Sequence, residues 1–449
     1  MIVKQQSYYL GMKQTSSTLG MGGVDLNIVL EMNHPQTEAP ALLPISPWKL
    51  ALVVFGPGLV VMLADTDAGS TIVAAQSGAR WGYRLLLLQL VLIPILFMVQ
   101  ELTVRLGLAT RKGHGELIAE HFGKGWAWLS VGTLLVSCVG AMLTEFSGIA
   151  GVGLLFGVSP WVSIGFTVVF LVVVVATGSY RQVEVLAILL GLFELAFVAV
   201  ALVSHPSPTA MLHGMAQMPL GDRQYLFLLA SNMGAVIMPW MIFYQQSAVV
   251  DKGLDIFHLK PARWDTAIGA FITQSIMVAI LVLAATTIGA KNPNTSLDTV
   301  QQIADALIPF LGPFWGKMIF AMGILGAALV ATIVVSLTAA WGLGEVAGYK
   351  RSLVHHPFEA PWFYGIYVVS LLIGAGIVLS GVNLIKLAID VNVMNALMLP
   401  IVLGFLVLLA RKALPEPWRL KGWYAWLVGL IVLFTAGLGL YAGIMGIWQ

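Results

Sequence analysis

Charge is the scarcest thing in this sequence. Asp, Glu, Lys and Arg make up 10% of its 449 residues, where soluble domains carry roughly a quarter. Apolar residues reach 59%, and mean hydropathy is +0.90. That balance excludes a water-soluble globule, a disordered chain, a coiled coil and a nucleic-acid binder, all of which need more charge or another bias. Cysteine is nearly absent too. Cys138 alone excludes an intrachain disulfide and any thiolate-built zinc or iron–sulfur site, and its apolar flanks fit core packing. No histidine lies in the middle of an apolar run, which removes the clustered ligands of a membrane-embedded metallohydrolase. A nucleotide loop is missing as well. Gly312–Lys317 lacks the P-loop spacing and its Ser or Thr, and Gly148, Gly151, Gly153 and Gly157 fit close helix packing better than a dinucleotide fingerprint. The net charge of +2 carries no message about partners.

What is present is a succession of long apolar runs. Eleven are expected to be transmembrane helices: about 48–77, 83–106, 126–157, 159–179, 183–204, 223–250, 265–289, 312–344, 361–381, 383–410 and 423–447. Several exceed the ~20 residues of a perpendicular span, so tilts, kinks or breaks are expected. The runs are continuous rather than alternating, which excludes barrel strands. The fold class is therefore an all-α membrane protein. Residues 1–46 are polar in places and lack a signal-peptide pattern; they are expected to be a flexible cytosolic tail, with 47–449 forming one transmembrane domain. With the N-terminus placed inside, 17 of the 23 Lys and Arg residues fall on the inner side, so the N-terminus is expected in the cytosol and the C-terminus outside. The longest connections, 205–222 and 290–311, read as short external loops. Without a soluble domain there is no room for a nucleotide-driven engine, which leaves a channel, a secondary transporter or a membrane-embedded enzyme.

Two places break the apolar pattern. In the first run stand Asp65-Thr66-Asp67-Ala68-Gly69-Ser70-Thr71. An Asp at mid-helix in a membrane costs at least ~2.5–3.5 kcal/mol, so such a residue marks a functional site by default. Asp67 and Ser70, three apart, share a helical face; if Gly69 unwinds the segment, freed carbonyls join them as ligands. A plain helix end capped by Asp65 or Thr66 is the alternative, weakened because the apolar pattern resumes on both sides. In the sixth run, Pro239 removes an amide and clashes with the carbonyl of Ala235. Met238 and that carbonyl then point into one gap, and a thioether is a soft ligand suited to late transition metals. Interrupted helices one and six fit a five-plus-five inverted repeat with an appended eleventh helix and a site at mid-membrane.

At these residues the chain resembles the Nramp family of divalent-metal transporters, and within it the divergent magnesium-transporting branch. Gly56-Pro57-Gly58 through Asp67-Ala68-Gly69-Ser70 to Gln76-Ser77-Gly78 is similar to the family's first helix, Gln100-Glu101-Leu102 through Arg105 to the end of its second, and Gly234-Ala235-Val236-Ile237-Met238-Pro239 to its sixth. The likeness weakens after about residue 345. It implies the LeuT-type architecture and a metal held by Asp67, by Ser70 in place of the family's Asn, by Met238 and by the Ala235 carbonyl. Ala68 stands in place of the family's proline, and the shorter Ser70 implies a wider site with room for water. Asp65 is an extra carboxylate. The family's proton relay is poorly matched. Trp240 stands at its histidine, Met142 at its aspartate, and no arginine lies in 361–381, leaving Glu145 alone.

The expected function is alternating-access transport of a divalent cation, magnesium slightly ahead of manganese, with weak or no proton coupling: a uniporter rather than an enzyme. The metal is substrate; no resident cofactor, nucleic acid or obligatory protein partner is expected, only the lipid bilayer of a bacterial inner or plasma membrane. The rival is a carrier of a small organic solute, such as an amino acid, lined by Trp240, Phe243 and Tyr244. Asp65 and Asp67 would repel a substrate carboxylate, which counts against it. Asp390, near Asn392 and Asn395 in the tenth run, is a pathway candidate, and Glu194 in the fifth is expected in a helix–helix hydrogen bond. His114, His121, His258, His355 and His356 are expected in water, while Trp126, Trp128, Trp161, Trp418 and Trp423 suit interfacial anchors.

Overall fold

The computed structural model describes residues 56–447 except 177–179, 291–296, 298–299, 305–307, 354 and 382. The expected N-terminal tail lies outside the described residues. Every regular element among those described is helical. Span 1 is α1 (Pro57–Asp65) followed by α2 (Ala68–Trp81), bent by 48° at the break between them. Span 2 is α3 (Leu86–Thr110), followed by a short α4 (His114–Phe122). Next come α5 (Lys124–Leu155), α6 (Pro160–Ala176), and α7 (Tyr180–Gly191) joined to α8 (Leu195–Val203) by one 3₁₀ turn.

After a surface helix α9 (Pro208–Ala216), span 6 is α10 (Arg223–Val236) and α11 (Pro239–Asp251). The rest are α12 (Leu259–Ala284), a short α13 (Val300–Ala304), α14 (Ile308–Ala347), α15 (Pro361–Leu379), α16 (Leu384–Lys412) and α17 (Gly422–Ile447). Among the described residues nine helices are long and apolar enough to cross a membrane, or ten with the bent pair as one span. The one expected span missing from that count, the fourth at about 159–179, corresponds to α6, whose 17 residues are apolar but short. The connection 205–222, expected as a loop, instead carries α9, with Ser207 capping it through the Ala210 amide at 3.4 Å.

Burial separates the centre from the rim. In span 6, 94% of the most apolar window is buried in protein, against 33% for span 5 and 39% for the last. Lipid supplies no hydrophobic drive between helices, so close approach through small residues and buried hydrogen bonds must hold them. Gly234 of α10 does this against α16: a Cβ there would stand 1.8 Å from the Asn392 carbonyl. Asn232 adds polar ties, donating to Ser77 Oγ of α2 at 2.8 Å and accepting from Gln89 of α3 at 2.7 Å. The exposed Trp126, Trp128, Trp161 and Trp423 stand near helix ends, as interfacial anchors do.

Candidate metal site

The first break is built by its own residues. α1 stops at Asp65, Thr66 turns the chain, and Asp67 in extended backbone caps α2, accepting from the Ser70 amide at 2.6 Å. A helix end does fall here, but its cap is Asp67 rather than Asp65 or Thr66, and it lies in the protein core. The cap satisfies one of the orphan amides at the new N-terminus. The second break has the same logic. Pro239 opens α11, its missing amide harmless at that position, and Met238 before it is extended, with φ −98° and ψ 142°.

The two breaks meet. Ser70 Oγ donates to the Ala235 carbonyl at 3.0 Å, using the acceptor that Pro239 leaves without its helical partner. Met238 Sδ accepts from Trp240 Nε1 at 3.1 Å, so the indole fixes the thioether. Asp67, Ser70, Ala235 and Met238 are each no more than 1% exposed, a site closed to solvent in this conformation. The groups expected as ligands are one carboxylate, one hydroxyl, one carbonyl and one thioether. Among the described residues no group of three or more His, Cys, Asp or Glu is placed to hold a metal, so a cation here would rest on a single charged ligand and neutral ones.

Glu145 is not isolated, contrary to expectation. Its Oε2 accepts from the Ala68 amide at 3.2 Å, its Oε1 from Thr144 at 3.0 Å, and its carboxyl hydrogen-bonds the Asp67 side chain. Gly148, one turn on, brings α5 to the break: a Cβ there would stand 2.4 Å from the Ala68 Cβ. Met142 faces elsewhere, packed where a Cβ on Gly374 of α15 would come within 2.6 Å.

Asp65 is 1% exposed, and neither of its oxygens has a partner among the described residues. Asp390 is not gathered into the break. It lines a separate cavity of about 650 Å³ with Gln76, Arg80, Gln224 and Lys386. Two residues were misjudged or undervalued from sequence. His114 is buried rather than in water, its Nδ1 3.0 Å from Gln246 Oε1, and burial pushes its pKa down to about 4. Glu194 makes the expected helix–helix hydrogen bond, and its partner is Thr66 in the first break. Glu194 was visible as an acid in an apolar run; nothing local pointed to Thr66.

The family model described as natural resistance-associated macrophage protein-like, Nramp, matches residues 58–445. The chain belongs to the Nramp family. The match continues well past residue 345, where the motif-level likeness fades. This Nramp chain is 28% identical over 295 residues to the divalent metal cation transporter MntH of Klebsiella pneumoniae, covering 64% of this chain and 71% of that one. It is 27% identical over 297 residues to MntH of Chromohalobacter salexigens, covering 63% and 68%. These relatives are named as transporters, not enzymes. Among solved structures, the manganese transporter of Eremococcus coleocola superposes with a TM-score of 0.72 at 17% identity, over 91% of this chain and 90% of that one. MhsT in complex with L-phenylalanine gives 0.56 at 15% identity, over 89% and 98%. The shared architecture is the LeuT-type fold with helices 1 and 6 broken, in an integral membrane protein.

Proposed function

We propose that this Nramp protein is an alternating-access secondary transporter of divalent metal cations, with Asp67, Ser70, the Ala235 carbonyl and Met238 as the cation's ligands. The observation that carries the reading is the Ser70–Ala235 contact, which joins the two breaks beside the Asp67 carboxylate. Both oxygens of that contact keep lone pairs, so a cation bound there ties the two breaks together. The names of the MntH relatives and of the Eremococcus manganese transporter support the substrate class.

Magnesium is placed slightly ahead of manganese. Ser70 is a hard, short donor, and Asp65 adds negative charge nearby, both suited to an ion that keeps part of its water; Met238 pulls towards manganese or iron. Proton coupling is proposed to be weak or absent. Apart from Asp67, Glu145 bonds only to an amide and a hydroxyl in the contacts above, Trp240 is bound to sulfur, and Met142 makes an apolar contact with α15, so the positions of the family's histidine and aspartate carry no titratable group. Transport then runs on the ion gradient and the membrane potential, about 4.6 kcal/mol per divalent ion at 100 mV. The setting is a bacterial inner or plasma membrane, N-terminus in the cytosol and C-terminus outside, as the Lys and Arg bias supports.

Uptake into proteoliposomes, with magnesium, manganese and calcium supplied separately and a pH dye inside, tests this. Magnesium and manganese should enter without internal acidification. Manganese entry with acidification would overturn the uncoupled mechanism, and no uptake of any ion would favour an organic solute.

A further inference from the structure

Span 5 is interrupted once, and the interruption faces the first break. Between α7 and α8 the chain makes a single 3₁₀ turn, Leu192–Glu194, the kind of mid-span irregularity that marks functional positions. Gly191, just before it, lets α1 approach: a Cβ there would stand 2.8 Å from the Leu63 side chain. The contact delivers Glu194 to the end of α1, where its Oε2 accepts from Thr66 Oγ1. Thr66 Oγ1 also lies 2.8 Å from the Leu63 carbonyl, which ties it to α1.

What remains there is unusual. Glu194 Oε1 and both oxygens of Asp65 have no hydrogen-bond partner among the described residues, although each side chain is only 1% exposed. No ion pair among the described residues reaches either acid. Asp65 directly precedes Thr66, the residue that Glu194 bonds, so both acids stand at the same turn. Carboxyl oxygens left without a donor in a dry interior are open ligand positions, and no side chain among the described residues fills them. The ligand atoms on offer are carboxylate oxygens from two helices, with no nitrogen or sulfur among them.

From this we infer that Asp65 and Glu194 form a second divalent-cation site, adjacent to the Asp67 site and on the α1 side of the break. Its oxygen-only donor set fits magnesium, which is typically held by one or two carboxylates while keeping several waters. Thr66 positions Glu194. The two sites differ in their donors: the one with Met238 adds a soft thioether, while the Asp65–Glu194 site offers oxygen alone. This rests on the reading of the chain as a divalent-cation transporter, and the test separates the two.

The full chain in lipid nanodiscs is titrated with magnesium by calorimetry, and with manganese by the electron paramagnetic resonance of the free ion. Wild type should bind two magnesium equivalents. Glu194→Gln keeps the acceptor for Thr66 but removes the charge; it should weaken the second equivalent at least tenfold while keeping the manganese equivalent that Met238→Ala weakens. Asp65→Asn should do the same. One magnesium equivalent in wild type, lost in Asp67→Ala, would overturn the second site and leave the transport reading standing. Two equivalents unchanged in both Glu194→Gln and Asp65→Asn would also overturn it. No binding of either ion would remove the transport reading and this site together. The wild-type count decides even if a variant does not fold.

Discussion

Acidic side chains are handled in opposite ways at two levels of this bundle. At the end that carries Gly56, Arg105 and Lys252, four buried carboxylates are held by amides, hydroxyls or cations, although Asp251 beside them keeps one oxygen without a partner among the described residues. Asp265 accepts from the amides of Gly56 at 3.2 Å, Gly58 at 2.8 Å and Leu59 at 3.2 Å, closing the buried N-terminal tip of α1. Glu101 binds Arg105 through Nε at 3.0 Å and Arg263 through Nε at 2.7 Å. Glu184 meets Lys252 at 2.7 Å, and Glu345 takes the Gly115 amide at 2.7 Å and the Ser247 hydroxyl at 2.5 Å. At the centre, Asp65 has no partner among the described residues and Glu194 keeps one oxygen free. Paired acids hold helix ends together; unpaired ones leave capacity for a cation. In the reading proposed above, the difference between the levels is a difference between clasp and site.

The strongest way to break that comparison is Asp67→Ala. It should cut metal uptake more than a hundredfold while the protein still elutes as a folded species; retained uptake would put the cation elsewhere. Met238→Ala comes next. Manganese transport should fall at least tenfold and magnesium transport less than about threefold, because only the softer ion gains from sulfur. Equal losses would make Met238 a packing residue held by Trp240.

The clasp is expected to answer in stability instead. Asp265→Ala orphans buried amides at the tip of α1, and a buried unsatisfied group costs about 1–3 kcal/mol. Its melting midpoint should drop clearly, with metal-binding stoichiometry retained; Asp265→Asn, which keeps an acceptor, should fall in between. A variant that melts like wild type but loses metal would reverse the roles of the two levels.

The last effect, spread over a pH interval rather than felt at one pH, is a slope from the same end. His114 ordinarily titrates near 6.5, and its folded value is pushed down to about 4 by burial. The unfolded chain therefore binds the proton first, so stability is full above about 6.5 and declines as pH falls towards 4, by up to about 3 kcal/mol. His114→Gln should flatten the melting-midpoint profile over that interval. An unchanged profile would place the acid sensitivity in other groups.

How much of this was legible beforehand depends on the range of each interaction. The breaks could be read because their causes are local: a proline without an amide, and carboxylates and hydroxyls inside apolar runs. Asp67, Ser70, Ala235 and Met238 were all nameable for that reason, and the span edges agree with the observed helices to within a few residues apart from the first, whose start is not described, and the seventh, which runs from Ile256. His114 was misread because a Gly-flanked histidine beside Lys112 looks solvated; the pocket of Gln246 and Phe243 that buries it comes from another helix. Glu145 looked solitary because Asp67, its partner, lies on another span.

By itself, then, the sequence determined the solvent: so few charges and so many apolar runs fit lipid, and transfer energetics depend on composition alone. It also determined where the helices break, since backbone hydrogen bonding is decided within four residues. Only the tertiary structure decided which acids are clasped and which are left open. Thr66 meets Glu194 across 128 positions, Gly58 meets Asp265 across 207, and Ser70 meets Ala235 across 165. Such pairings depend on helices approaching within hydrogen-bond reach, which the close packing at Gly148, Gly191 and Gly234 permits and no local pattern encodes.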